Sequence, residues 1–454
     1  DGHIDNATND QAIATSGGVT LDNDIVSMGD ATWTVSGSFD NKDVATFNRN
    51  ASTLMMNGAG TSIISGSSGI FNNLTISSTV SLSSLTASWA GYYGVVSVSS
   101  VFTLNDALNA QASTSDVQVS VGGQITGSGS LSVKKITQMD GTIDTTTLSV
   151  SSYNVNASII PAQYDSATVS IESGTGTSSF SASAQGTIII SNAALFKQSY
   201  ATGDFTINNS AQNTSWEFRG NVSMTTAGGT ITWTKGTGTI TLGNNPSDGT
   251  QTINFLDKTV EDIVVNGSGD IKQLTDGVTT DSLTVTAGTL NANGQTLAVT
   301  GLTTVDGGTY QPSTATQTLT GGLTFSSGTI TQSTGEIDIA GNMTVSGTPT
   351  FTKNASGLIK FNAGTASQTL TSAAIDIGNI QISAGAGATT LTLQDNLNAD
   401  NITIDASQTL SADDTEADRD ITVGGNWENS GIFTAVTGTV TLDGTDQSLT
   451  GSTS

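Results

Sequence analysis

The densest run of ionisable side chains in this sequence is Asp413-Asp414-Thr415-Glu416-Ala417-Asp418-Arg419-Asp420. Calcium takes six to eight hard oxygen ligands, and carboxylates at near-alternate positions can supply them. Asp413, Asp414, Glu416, Asp418 and Asp420 are therefore a candidate calcium loop, and calcium is the one cofactor the sequence suggests. The spacing is not that of an EF-hand and the turn glycine is missing, so a solvated acidic loop competes with that reading. Asp22, Asp24 and Asp30 form a looser second group.

Other chemistry finds little support. The single histidine is His3 and there are no cysteines, so no base is at hand for a nucleophilic triad and no thiolate can hold a metal. No GK[ST] phosphate loop occurs, and the Gly-Thr-Gly pieces read as turns. Polysaccharide-cleaving β-helices set carboxylates on adjacent rungs beside a basic residue. Here Lys134, Lys135, Lys235, Lys258, Lys272, Lys353 and Lys360 are scattered, so no catalytic residue is assigned and the chain reads as a non-enzyme. Trp89, Tyr92 and Tyr93 could stack on sugars or simply pack between rungs.

The acidic run interrupts an apolar rhythm between Leu410 and Ile421, so it should protrude from something regular. That regularity is a repeat. Leu283-Thr284-Val285 is followed by Gly288-Thr289-Leu290 and Gln295-Thr296-Leu297. The next segments open on Leu302, Leu323 and Met343, and their glycines at 288, 308, 328 and 347 step by about 20 residues. Three short alternating strands and three turns make one coil of a β-helix, and coils stack at roughly 4.8 Å.

A longer unit lies above the rung. Gly220-Asn221-Val222 returns as Gly341-Asn342-Met343 and Gly425-Asn426-Trp427. Each is followed by Gln251-Thr252-Ile253, Gln368-Thr369-Leu370 or Gln447-Ser448-Leu449. The last copy stops short of its next strand, which implies either a longer gene product or an end covered by another subunit. Immunoglobulin-like sandwiches are the structural rival, but 4 prolines and the short step disfavour them. The expected fold is all-β, a parallel β-helix (β-solenoid) with rungs of about 20 residues, right-handed being the commoner hand. By rung style the chain divides into N-terminal solenoid rungs over 1–84, irregular rungs with insertions over 85–200, and a regular solenoid over 201–454 whose last unit is incomplete.

Composition agrees. Gly contributes 52 residues, charged residues only 11%, and hydrophobic residues still reach 35%, enough for a core. The net charge of −26 repels nucleic acid, disfavours anionic membrane surfaces and favours divalent cations, so neither nucleic acid nor membrane insertion is expected. No apolar run is long enough for a transmembrane helix, and the start, Asp1-Gly2-His3-Ile4-Asp5, resembles no signal peptide, so any export signal has been removed.

The runs Gly238-Thr239-Ile240-Thr241-Leu242, Gln251-Thr252-Ile253 and Ile263-Val264-Val265 resemble the repetitive β-helical stalks of haemagglutinin- and adhesin-like bacterial surface or secreted repeat proteins. The resemblance covers most of the chain and rests on rung style. It implies an extracellular or cell-surface protein that is structural or adhesive, with self-association head-to-tail and surface glycans or neighbouring cells as partners. The alternative is a carbohydrate-binding or polysaccharide-degrading β-helix.

Overall fold

The computed structural model describes residues 1–454 except 1–3, 7, 23–24, 44–45, 61, 67–70, 86–88, 91–93, 111–114, 153–156, 174–175, 247–248, 365–366, 384–386, 413–417, 436 and 452–454. The described elements are strands, and every pairing described between them is parallel within the two compact units, Asp1–Gly238 and Thr239–Ser454. The fold is an all-β parallel β-solenoid, as the repeat predicts.

The second unit shows why the sequence folds this way. Leu283 pairs with Thr303, Thr303 with Leu323 and Leu323 with Met343, so each of these rungs advances along the chain by the same step. Alternation then sorts the side chains. Val285, Val305, Phe325 and Val345 are buried in one inward ladder, and Leu290, Tyr310 and Ile330 in another. Thr284, Thr304, Thr324 and Thr344 stack outward on the same strands. Burying each large apolar side chain contributes roughly 1.5–3 kcal/mol, and β-branched threonine suits the half-exposed pleat. No rung can bury its inward face without a neighbour.

The glycine step also has a physical cause. Gly288, Gly328 and Gly347 have φ of +70°, +82° and +68°, the left-handed region that a side chain resists. In the rung between, that conformation has moved to Gly307, at φ +113°. A Cβ on Gly328 would lie 2.1 Å from the Gly308 carbonyl oxygen on the preceding rung. Gly328→Val is therefore expected to cost more than about 2 kcal/mol, read as a lowered melting transition. Thr329→Val, one residue on and half-exposed, is the control expected to change it little.

The Gly-Asn and Gln-Thr-Leu markers turn out to be one device. Gln368 is buried, and its Nε2 donates to the carbonyls of Ile339 (2.9 Å) and Gly341 (2.6 Å) on an earlier rung. Gln447 repeats this on Val423 (2.7 Å) and Gly425 (2.6 Å). The following residue completes the clasp. The Thr369 amide donates to Asn342 Oδ1 and the Ser448 amide to Asn426 Oδ1, both at 2.9 Å. The Gly341 and Gly425 carbonyls, at corners outside the strands, thus find a donor, while those of Ile339 and Val423 also accept from the Asn362 (3.0 Å) and Asp443 (3.2 Å) amides.

In the first unit the steps vary. Gln124 pairs with Thr142, a short step, whereas Ser178 pairs with Phe205, a much longer one. Phe180, Phe196, Trp216, Phe218 and Trp233 fill the core there, with Phe196 edge-on to Trp216 and Trp233. The Trp216 indole N–H is satisfied by Asn209 Oδ1 at 2.8 Å.

Candidate functional site

Of the predicted calcium loop, Asp413, Asp414 and Glu416 lie outside the described residues. Asp418 and Asp420 are described, and both carboxylates hold the neighbouring rung. Asp418 Oδ2 accepts from the Thr437 amide at 2.9 Å and from its hydroxyl. Asp420 Oδ1 accepts from the Thr439 amide at 2.8 Å. Asp30 does similar work, accepting from the Ala51 amide at 2.9 Å, while Asp24 and the side chain of Asp22 lie outside the described residues. His3, Tyr92, Tyr93 and the Trp89 side chain lie outside them as well. Among the described residues, no three His, Cys, Asp or Glu side chains stand together as metal ligands.

The sequence did not single out a furrow of about 400 Å³ on the first unit, lined by Thr126, Gly127, Asp144, Thr146, Asp165 and Asn192 among others. It forms where strands Gln124–Val133 and Thr142–Ser152 break register, between Gly127 and Ser130. Thr126 stands beside Asp144 in the ladder. The Asp165 amide donates to the Ile143 carbonyl at 3.3 Å, and the Ser191 amide to the Tyr164 carbonyl at 3.0 Å. Four successive rungs therefore bring Thr126, Asp144, Asp165 and Ser191–Asn192 to one line. Gly127, at φ +118°, could carry no side chain, since a Cβ would sit 2.2 Å from the Leu104 carbonyl.

The furrow's polar groups are partly held and partly open. Asp165 Oδ1 accepts from Ser191 Oγ at 2.5 Å and Gln163 Nε2 at 2.8 Å, which orients the carboxylate and leaves Oδ2 without a donor among the described residues. Asn192 Nδ2 donates to the carbonyls of Asp165 (2.9 Å) and Ser166 (3.3 Å), leaving its Oδ1 as an acceptor. Asp144 and the Thr126 hydroxyl make no hydrogen bond or ion pair among the described residues.

A second furrow, of about 430 Å³, lies on the second unit and is differently made. Lys353 Nζ reaches Asp376 Oδ2 and, at 2.6 Å, Asp400 Oδ1. Burial pulls the Lys353 ammonium's pKa down, but its hydrogen bonds to Asp376 and Asp400 together with their charges outweigh it, and the net direction is upward. One ammonium is thus shared by two carboxylates, with Asp443 also in the lining.

Two further lysines are buried. Lys272 and Asp270 are fully buried and 3.1 Å apart, and Lys272 also donates to the Gly243 carbonyl. Burial lowers the Lys272 pKa, while Asp270 opposes that shift through its hydrogen bond and its charge. Lys134 is 1% exposed, and its Nζ has no partner among the described residues.

No protein-family model, curated protein or solved structure matches the chain.

Proposed function

We propose that this chain is a structural and adhesive solenoid of the cell exterior, a rod or filament subunit. The observation that carries the reading is the repeated stacking itself. In the second unit, inward ladders are apolar and outward columns such as Thr284–Thr304–Thr324–Thr344 are uncharged hydroxyls. Such a stack extends by adding rungs, at about 4.8 Å each, without any change of design. The extracellular placement rests on the rung-style resemblance to surface repeat proteins.

In the proposed assembly, copies stack head to tail, parallel strand on parallel strand, in a heterologous contact that does not close. Electron microscopy of the 454-residue chain over rising concentration tests this. Particles should join end to end. Isolated particles at every concentration would overturn the assembly.

A further inference from the structure

We infer that the furrow of Thr126, Asp144, Asp165 and Asn192 is a binding site for a neutral polysaccharide. This deepens the adhesive reading above and rests on it. Three observations lead there.

The first is the inventory of open groups. A sugar ring offers hydroxyls that both donate and accept. The furrow meets them with acceptors at Asp144, Asp165 Oδ2 and Asn192 Oδ1, and with a hydroxyl at Thr126 that can do either. A hydrogen bond with one ionised partner contributes more than a neutral one, so two carboxylates suit uncharged hydroxyl donors.

The second is preorganisation. Asp165 is already held by Ser191 and Gln163, and Asn192 by two backbone carbonyls. Neither side chain has much freedom left to lose when a ligand arrives, and such losses weaken most polar surface sites. Gly127 lets the chain lie close against the Leu104 backbone, and Ala167 in the lining offers a small apolar contact.

The third is the sign and periodicity of the lining. The described lining contains two carboxylates and no lysine or arginine, on a chain of net charge −26, so anionic polymers are repelled. Successive polar positions come one per rung, at roughly 4.8 Å. A linear glycan presents hydroxyls again and again along its length and can engage several rungs at once. The second furrow does not share these properties, because Lys353 already occupies Asp376 and Asp400.

Affinity electrophoresis of the full chain tests the inference. Its charge drives migration through native gels cast with dextran, galactomannan, xylan or mixed-linkage glucan, with alginate as the acidic comparison. Retardation is expected in at least one neutral gel and not in alginate. Asp144→Ala and Thr126→Ala remove groups that hold nothing in the fold, so both should remain folded by circular dichroism and weaken retardation at least tenfold. Asp400→Asn, on the second unit, should leave it unchanged. Retardation that survives both furrow variants would overturn the site and leave adhesion standing elsewhere on the chain. No retardation in any neutral gel would overturn the glycan assignment, while end-to-end joining in micrographs would still support the structural reading. Release of reducing ends, abolished by Asp144→Ala, would overturn binding in favour of cleavage.

Discussion

Asp270→Ala is expected to destabilise the second unit by about 3–5 kcal/mol, the usual consequence of leaving a buried charge without its partner. Lys272 would keep only the Gly243 carbonyl in a site where both side chains are fully buried. The Asn245 amide, 2.6 Å from Asp270 Oδ2, would lose its acceptor as well. The pair itself need not stabilise the fold. Desolvating two ions offsets most of their attraction, so Asp270→Leu with Lys272→Met is expected to be neutral or stabilising by about 1–4 kcal/mol. Hydrogen exchange across strand Asp262–Leu274 of the full chain separates the two cases. Protection should collapse in the single variant and be kept in the double one. Equal loss in both would mean that the pair, and not the orphaned charge, sets local stability.

Lys134→Met is expected to stabilise the first unit at pH 7 by on the order of 3 kcal/mol, since one pKa unit is worth about 1.4 kcal/mol. Burial pushes the Lys134 pKa down from 10.5 to about 8. Between these two values the unfolded chain binds a proton that the folded chain does not, so stability rises with pH across the window. Below pH 8 both forms are protonated and the full penalty applies. Thermal melts of the native chain should therefore climb from pH 8 towards pH 10, and those of Lys134→Met should lack this contribution. Above about pH 10 the buried Tyr164 phenol works the other way. Its pKa is raised by burial, so the unfolded chain ionises first and stability falls. A flat wild-type profile between pH 8 and 10 would show that Lys134 is solvated in the native state.

The solenoid was legible because its signals are local and periodic. Leu283, Leu323 and Met343 recur at a step that the ladder register reproduces. Positive-φ glycines mark the same turns. The Gly-Asn and Gln-Thr-Leu markers were visible as a pattern, but their role was not, because the Gln368 clasp reaches back across a whole rung to Ile339. The first-unit furrow stayed hidden for a related reason. The step from Gln124 to Thr142 is short and that from Ser178 to Phe205 long, so the register is open and nothing in the sequence aligns Asp144 with Asp165. Lys272 shows how phase overrides polarity. Leu274 points inward, so period-two alternation sends Lys272 and Asp270 inward too and turns Ile271 out, 37% exposed. Read by hydrophobicity alone, Ile271 would have been placed in the core.

The even step of the rungs between Leu283 and Val345 also has a mechanical meaning. Their backbone hydrogen bonds join one rung to the next, so a pull on the ends of this stretch loads its outermost rung first. Each rung that peels away frees about 20 residues of slack, or roughly 66–72 Å at full extension. Stretched, these rungs would lengthen in equal increments and dissipate work at each one, behaving as a ratcheted shock absorber more than as a spring.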